Sequence, residues 1–186
     1  ALDILIKKGR LDPGEDLKVI VLTGDGVAYD IGLASTSGAI HRHLDFYYIC
    51  SDNEAYGNTG FQSSGATPFA SKTGTTPIGK ISPTGTILAK KDLFEIWRSH
   101  IPPYLATISP DHPVDLINKF KKAEQYKGPK LFINLSPCPP GWTADPAHSA
   151  RLAKLAVDTG IWALKESLYG DVRHTVIPKK FKPVEE

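Results

Sequence analysis

Two short apolar runs, each followed at once by acidic or amide residues, constrain the fold of this chain more than any other feature. The first run, Lys18 to Thr23, leads into the tripeptide Gly24-Asp25-Gly26. The second run, Asp45 to Ser51, leads into Asp52 and Asn53. The segment between the runs has the small and apolar residue spacing of a helix packed on a sheet. We therefore predict a βαβ unit with a right-handed crossover, both strands being buried on their two faces.

Acidic and amide oxygens are expected to meet at one edge of this predicted sheet. Parallel strands end at the same edge, so Asp25 and the loop from Asn53 to Asn58 should lie side by side. Taken alone, the GDG tripeptide is more often a solvated turn, and it lacks the later glycine of a dinucleotide fingerprint. Together with the second loop, however, it predicts a site for a hard divalent cation and, through that cation, a diphosphate.

Strand and helix patterns alternate along the rest of the chain. The predicted elements are a helix over 91–99, a strand over 104–108, a helix over 111–126, a strand over 130–135, a helix over 147–168 and an edge strand over 172–177. An interruption of the helix over 147–168 at Gly160 is left open. In the helix over 111–126, the apolar residues are expected to face the sheet and the lysines the solvent, namely Val114, Ile117 and Phe120 inward and Lys119, Lys121 and Lys122 outward. This alternation predicts a doubly wound α/β fold with a mostly parallel sheet, formed by residues 1–186 as a single domain.

A long segment, residues 54–86, interrupts this alternation and is rich in Gly, Ser, Thr and Pro. A loop of this length inside a compact domain is usually either functional or disordered. Aromatic and aliphatic residues recur through it, namely Phe61, Phe69, Ile78 and Ile81. Because these side chains give the loop something to pack with, we predict an ordered loop.

Composition excludes several classes of partner. The chain has 186 residues, 41% hydrophobic and 23% charged, and a net charge of +2, which does not suggest a nucleic-acid partner. No apolar run approaches the roughly 20 residues of a membrane span, and no signal peptide is visible.

We interpret Cys50 and Cys138 as reduced thiols of a cytoplasmic protein. The sequence contains no methionine, and we interpret it as a piece of a longer polypeptide.

The spacing of the two loops resembles the thiamine diphosphate signature, in which GDG is followed some two dozen residues later by an asparagine-containing loop. The resemblance implies that Mg²⁺ is held by the carboxylate of Asp25, the side chain of Asn53 and the carbonyl of Ala55. Mg²⁺ prefers such hard oxygen ligands and completes its octahedron with phosphate oxygens and water. Gly24 and Gly26 would then flank the bound cofactor.

Further motifs resemble the β subunit of 2-oxoacid:ferredoxin oxidoreductases, especially the pyruvate enzymes. They are ICSDNEAYGNTG, SGATPF, HIPPYLATISP and LSPCPPGW, and with GDGVAYDIG they cover about residues 18–142. The resemblance implies the thiamine diphosphate-binding fold and oxidative decarboxylation of pyruvate or a related 2-oxoacid. Coenzyme A would take the acyl group, and electrons would pass through 4Fe-4S clusters to ferredoxin. It also implies partner subunits of α, γ or δ type, one of which would supply the glutamate that activates thiamine.

The same resemblance assigns roles to individual residues. Asn58 would lie near the reacting centre and polarise the substrate, with Tyr56 and Thr59 lining the same loop. Cys138 resembles the sequence-distant fourth ligand of the cluster nearest the thiamine. A 4Fe-4S cluster normally needs four thiolates and this chain has two cysteines, so its other ligands would come from another chain or segment. Gly57 departs from the family pattern, where a bulkier residue, commonly Met, shapes the active-site loop.

Two other interpretations stay open at this point. A thiamine-dependent non-oxidative decarboxylase or carboligase would use the diphosphate site without Cys138, so iron content and ferredoxin-dependent oxidation would distinguish it. A non-catalytic subunit that only scaffolds a complex would bind neither thiamine diphosphate nor Mg²⁺. The tryptophans are interpreted as packing residues, with most interest in Trp142 because it follows Cys138 in the same motif.

Overall fold

Strands and helices alternate in a computed structural model that describes residues 2–12, 14–15 and 17–183. The helices are α1 (Leu2–Lys7), α2 (Leu33–His41), α3 (Leu93–Arg98), α4 (Pro113–Ala123) and α5 (Ser149–Asp158), with a π-helical turn at Gly26–Ile31 and a 3₁₀ turn at Pro146–His148. The strands are β1 (Ile20–Gly24), β2 (Phe46–Asp52), β3 (Tyr104–Ile108), β4 (Pro129–Leu135), β5 (Leu164–Leu168) and β6 (Asp171–Val176).

These strands form one mixed sheet in the order β1-β2-β4-β3-β5-β6. The first four strands of that order run parallel, and β5 and β6 each run antiparallel to the strand before them. The predicted α/β fold with a mostly parallel sheet is confirmed. The register pairs Gly24 with Ser51 and Asp52 with Leu135, so β1, β2 and β4 end side by side at one edge.

Two apolar clusters pack on the sheet, and β2 contributes to both because successive strand residues point to opposite faces. One cluster includes Tyr48, Trp97 and Leu131. The other includes Tyr47 and Phe132, whose rings stack at 6.3 Å between centroids. The parallel strands at the centre of the sheet are thus covered on both faces, as parallel sheets generally are.

The prediction that β1 is buried on both faces is wrong. Among the described strands β1 pairs only with β2, and its Ile20 and Leu22 side chains are 58% and 74% exposed. A β-branched apolar run is typical of a parallel strand, but it does not reveal whether a second neighbour covers that strand. The expected edge strand over 172–177 is confirmed as β6.

The predicted helix over 147–168 is also wrong in its second half. Helix α5 ends before Gly160, which adopts a left-handed φ of 82°. The chain then enters β5, where the Thr107 hydroxyl donates to the Ala163 carbonyl at 2.6 Å. Leucines at helical spacing favour a helix beyond Gly160, but pairing with β3 determines the structure there.

Helix α4 matches the prediction in part, since Phe120 packs against an apolar cluster on the sheet as expected. Three other positions differ from the prediction. Val114 and Ile117 are 71% and 49% exposed, whereas Lys119 is only 2% exposed. The Lys119 ammonium donates to the Thr107 carbonyl at 2.8 Å and pairs with Asp115 at 2.6 Å. These bonds compensate the burial of the charge, which is why this lysine can face the sheet.

The long loop is folded against the rest of the chain, which confirms the prediction of an ordered loop. Ala66, Thr67 and Thr86 in this loop are buried. The predicted apolar anchors are largely exposed, however: Phe69 is 61% and Ile81 101% exposed. Hydroxyl and backbone hydrogen bonds hold the loop instead. Within the described residues, no helix combines the length and apolarity needed to cross a membrane.

Candidate functional site

Asp25 lies directly after β1, at the start of the π-helical turn, and its side chain is 1% exposed. The Ser64 hydroxyl donates to Asp25 Oδ2 at 2.5 Å, and the backbone N–H of Asn53 also interacts favourably with the carboxylate. The contact with Asn53 joins the ends of β1 and β2. The structure therefore brings Asp25 and Asn53 together, as the order of the strands predicts.

The electrostatic environment of Asp25 favours an added positive charge. Burial and the nearby charge of Asp52 raise the pKa of Asp25 to about 6, although the hydrogen bond from Ser64 opposes this shift. Within the described part of the chain, no Lys or Arg forms an ion pair with Asp25. A bound divalent cation would reverse this effect and hold the carboxylate in its charged form.

Asp52, next to the predicted metal ligand Asn53, anchors a second charged network. Its side chain is fully buried, accepts a 2.6 Å hydrogen bond from the Tyr29 hydroxyl and pairs with Lys90 at 2.9 Å. Lys90 also reaches Glu54 at 3.1 Å. Burial raises the pKa of Glu54, against the effect of Lys90. One ammonium group therefore pairs with two carboxylates beside the Asn53 loop.

The loop after β2 folds into a short hairpin. The backbone N–H of Tyr56 donates to Gln62 at 2.9 Å, and that of Phe61 donates back to Tyr56 at 3.0 Å. Asn58 and Thr59 lie at the exposed tip of this hairpin. The role of Asn58 near the reacting centre stays a prediction, because the residue lies at the surface of this chain.

The predicted metal ligands that follow Asp52 share one turn. The side-chain oxygen of Asn53 accepts a hydrogen bond from the backbone N–H of Ala55 at 3.2 Å. Ala55 itself is buried. This turn fixes the Asn53 amide and the Ala55 backbone relative to each other, while the Asn53 N–H contacts Asp25. The Asn53 backbone therefore lies against the Asp25 carboxylate, and the Asn53 side chain is bonded to Ala55. The predicted ligands are one carboxylate and two neutral oxygen groups, which are of the types that Mg²⁺ prefers.

Three glycines lie near these residues, and they differ in the space that a side chain would find there. A Cβ atom on Gly26 would lie 2.2 Å from Cε1 of Tyr56, so the Tyr56 ring requires a glycine there. A Cβ on Gly24 would meet nothing within 4 Å, so the space next to Gly24 is open. A Cβ on Gly57 would lie 2.9 Å from the amide nitrogen of Asn53. A side chain at position 57 would therefore press against a predicted metal ligand.

Asp30 holds the long loop close to the π-helical turn. Its carboxylate accepts hydrogen bonds from Lys91 Nζ at 2.6 Å, the Gly65 N–H at 2.8 Å and the Tyr56 hydroxyl at 3.1 Å. Burial alone would raise the pKa of Asp30, but the hydrogen bonds from Lys91 and Gly65 lower it below its ordinary value. Sequence reasoning did not identify Ser64, Asp30 or Lys90 as site residues. The sequence feature that could have indicated the contacts of Ser64 and Gly65 is the SGATPF motif, which contains both residues.

Cys138 lies in the loop after β4, and this loop contacts the Asn53 loop directly. The indole N–H of Trp142 donates to the Asn53 carbonyl at 3.1 Å. Gly141 lies so close to the Phe61 ring that a Cβ there would be 2.0 Å from Cε2. Both cysteines are free, Cys50 buried and Cys138 half-buried. The described residues contain no group of three or more His, Cys, Asp or Glu that could hold a metal.

The fold and site define a class of protein. Residues 6–133 match the family described as thiamine pyrophosphate enzyme, C-terminal TPP binding domain. The chain belongs to this family. A likeness to a solved 2-oxoglutarate:ferredoxin oxidoreductase from Magnetococcus marinus, with 2-oxoglutarate, coenzyme A and succinyl-CoA bound, supports the fold. Its TM-score is 0.59 at 20% identity, covering 83% of this chain and 56% of the other.

Individual relatives show which members of this family the chain resembles. The chain is 45% identical over 172 residues to pyruvate synthase subunit PorB of Methanosarcina barkeri, covering 92% of this chain and 58% of the relative. It is 41% identical to PorB of Thermotoga maritima, covering 100% and 57%. It is 43% identical to ketoisovalerate oxidoreductase subunit VorB of Pyrococcus horikoshii, covering 93% and 56%. The predicted resemblance to 2-oxoacid oxidoreductase subunits is confirmed, and the chain spans under 60% of the length of these three relatives.

Proposed function

We propose that this chain supplies the diphosphate-binding part of a thiamine diphosphate site in a 2-oxoacid:ferredoxin oxidoreductase. The observation that carries the proposal is the contact between Asp25 and Asn53. It places a buried carboxylate, unpaired with any Lys or Arg among the described residues, beside an amide-rich loop. Membership of a thiamine pyrophosphate-binding family and the PorB relatives support it. Residues 1–186 would act as a single domain in a cytoplasmic enzyme that is active only with partner chains.

In this proposal Mg²⁺ is held by the carboxylate of Asp25, the side chain of Asn53 and the carbonyl of Ala55. Only one of these ligands is charged, so the bound ion keeps a net positive charge with which to bind the diphosphate. The space next to Gly24 is open, so the cofactor can approach the backbone there. When bound, thiamine diphosphate supplies the electron sink for decarboxylation, and the protein supplies orientation and electrostatics. Tyr56 and Thr59 line the loop, and Asn58 orients the 2-oxoacid.

Cys138 is proposed as one thiolate ligand of a 4Fe-4S cluster whose remaining ligands belong to other polypeptide. The support is its position: the loop that carries Cys138 contacts the Asn53 loop through Trp142 and through the packing of Gly141 on Phe61. A cluster there would lie next to the diphosphate site. The proposed reaction passes electrons through such clusters to ferredoxin and the acyl group to coenzyme A, with pyruvate or a related 2-oxoacid as substrate.

The metal site is tested with Asp25→Asn in the protein purified together with its natural partner chains. We expect Mg²⁺-dependent binding of thiamine diphosphate, measured by titration calorimetry, to weaken by at least about 100-fold. Loss of a ligand should exceed the 10–100-fold typical for a group that only orients one. Asp171→Asn, at the exposed start of β6, is the matched control and should bind normally. Unchanged binding by Asp25→Asn would contradict the proposal.

The cluster is tested with Cys138→Ser in the same complex, with Cys50→Ala as the control. Cys50 is fully buried within β2, so its replacement should leave the iron content intact. We expect Cys138→Ser to lose iron and ferredoxin reduction, because a cluster normally needs four thiolates. If Cys138→Ser kept its iron while 2-oxoacid decarboxylation continued without ferredoxin, a non-oxidative decarboxylase would be the better assignment. A complex that bound no thiamine diphosphate would point to a scaffold.

A further inference from the structure

Trp142 makes two hydrogen bonds that link the two proposed cofactor loops. Its indole N–H donates to the carbonyl of Asn53 at 3.1 Å. Its backbone N–H donates to the carbonyl of Cys138 at 2.7 Å. One residue is therefore bonded both to a proposed Mg²⁺ ligand residue and to the proposed cluster ligand residue.

The surrounding contacts make this link stiff. The turn that carries Cys138 is closed a second time by the Ala144 N–H, which donates to the Pro139 carbonyl at 2.9 Å. Gly141 in the same turn lies against the ring of Phe61, which belongs to the hairpin that follows Asn53. The Trp142 ring also packs against the larger apolar cluster. Because the two loops share a hydrogen bond and a packing contact, a displacement of one loop displaces the other.

The other two tryptophans show that this arrangement is specific to Trp142. The indole N–H of Trp162 also donates to a backbone carbonyl, that of Ile108 at 3.2 Å, but Ile108 belongs to β3 and to neither cofactor loop. The indole nitrogen of Trp97 is buried in the core, with no hydrogen-bond partner among the described residues. Trp162 therefore offers the same chemical group bonded to a carbonyl outside both loops.

We infer that Trp142 is a positioning residue that couples occupancy of the diphosphate site to the stability of the cluster loop. The inference rests on the proposed function. Mg²⁺ and diphosphate fix the Asn53–Ala55 turn, and the indole bond passes this restraint to the loop that holds Cys138. By thermodynamic linkage, an intact cluster must strengthen binding at the diphosphate site by the same factor.

The test measures iron release from the purified complex to a ferrous chelator, with and without thiamine diphosphate and Mg²⁺. We compare the wild type with Trp142→Phe, which keeps an aromatic ring but has no N–H donor. The cofactor should slow iron release by about twofold to tenfold in the wild type, the factor that one typical net hydrogen bond can supply. Trp142→Phe should show no slowing, and Trp142→His, which keeps a ring N–H, should recover part of it. Trp162→Phe is the matched control and should behave as the wild type.

Full protection by the cofactor in Trp142→Phe would overturn the inference, as would a wild type that shows none. If Trp142→Phe does not accumulate as folded protein, hydrogen–deuterium exchange of the wild type replaces it. Thiamine diphosphate with Mg²⁺ should then slow amide exchange over residues 138–144, and unchanged exchange there would equally overturn the inference. Failure of the proposed cluster is distinguishable, because Cys138→Ser would keep its iron whatever the exchange experiment showed.

Discussion

Two carboxylates are buried toward opposite edges of the same sheet, and they differ in the groups that balance their negative charge. Glu166, on β5, is 2% exposed and accepts hydrogen bonds from the Tyr104 hydroxyl at 2.6 Å, Lys122 at 2.8 Å and Arg173 at 2.5 Å. Asp25, after β1, is 1% exposed and receives one hydroxyl and backbone N–H groups. Glu166 has two cationic partners, whereas the donors to Asp25 among the described residues are all neutral.

The pKa values of the two groups differ accordingly. Burial alone would raise both values, but at Glu166 the bonds from Lys122, Tyr104 and Arg173 outweigh it and the pKa is lowered. At Asp25 burial prevails and the pKa rises to about 6. Perturbed carboxylates that the chain does not neutralise are concentrated at functional sites, whereas paired ones are commonly structural. The comparison therefore identifies Glu166 as a structural group and Asp25 as the candidate ligand.

The strongest test of this comparison is to replace Glu166 by an uncharged residue. We expect Glu166→Gln to lower the free energy of unfolding by about 1–3 kcal/mol, chiefly because buried hydrogen bonds such as that of Tyr104 are weakened or lost. Arg173 is 62% exposed, so water can replace its bond to Glu166. The loss of this bond therefore contributes little to the change in the free energy of unfolding. Urea unfolding of the purified complex measures the change.

The same variant should leave Mg²⁺-dependent binding of thiamine diphosphate unchanged, since β5 lies away from the Asp25 cluster in the strand order. Asp25→Asn should give the opposite result, with weaker binding and no loss of stability in the absence of cofactor. A Glu166→Gln protein with wild-type stability and weakened cofactor binding would reverse the two assignments.

The pH dependence of stability provides a second test of the assignment of Glu166. Its pKa in the folded state is below the ordinary value of 4.5. Its contribution is therefore fully present above about pH 4.5 and is lost as the pH falls below that value toward the lowered folded pKa. Unfolding free energies measured down to acidic pH should fall less steeply in Glu166→Gln than in the wild type. Equal slopes would mean that Glu166 is not stabilised in its charged form.

A smaller effect is expected at Ser64, whose hydroxyl holds the Asp25 carboxylate. Ser64→Ala removes the 2.5 Å hydrogen bond but none of the proposed ligands. We expect roughly tenfold weaker Mg²⁺ binding, the lower end of the range for residues that orient metal ligands. Ser82→Ala is the control, since the Ser82 hydroxyl donates to the Gly85 carbonyl within the same long loop. Equal Mg²⁺ affinity in both variants would show that Asp25 does not need Ser64.

The contacts around Asp25 and Glu54 differ in how far the sequence could predict them. Asp25 and Asn53 meet because parallel strands end at one edge, and an alternating pattern predicts that geometry. Ser64 reaches Asp25 from 39 residues away, and Lys90 reaches Glu54 from 36 residues away, through a loop without periodicity. Hydrophobic patterns specify elements, but they do not specify which loop hydroxyl or ammonium folds back onto a site.

The errors in the fold prediction have a related cause. Residues 164–168 carry leucines at a spacing that suits a helix, yet they form β5 because β3 and β6 pair with them. Lys119 was assigned to solvent by its charge, yet it is buried because the Thr107 carbonyl and Asp115 satisfy its ammonium group. In both cases a partner distant in sequence, or a specific polar bond, outweighed the local pattern.

The smallest expected effect concerns Gly57, and it tests how tightly the chain itself constrains the Asn53 ligand. The Cβ atom of Gly57→Ala would lie 2.9 Å from the amide nitrogen of Asn53, so the amide must shift by a few tenths of an ångström. Since only a side chain has to move, Mg²⁺ affinity should fall by about twofold, well below the 10–100-fold expected for an orienting partner. Gly79→Ala, where a Cβ meets nothing within 4 Å, is the matched control. A loss as large as that of Ser64→Ala would mean that the Asn53 amide cannot adjust, and that Gly57 fixes the loop geometry of this chain.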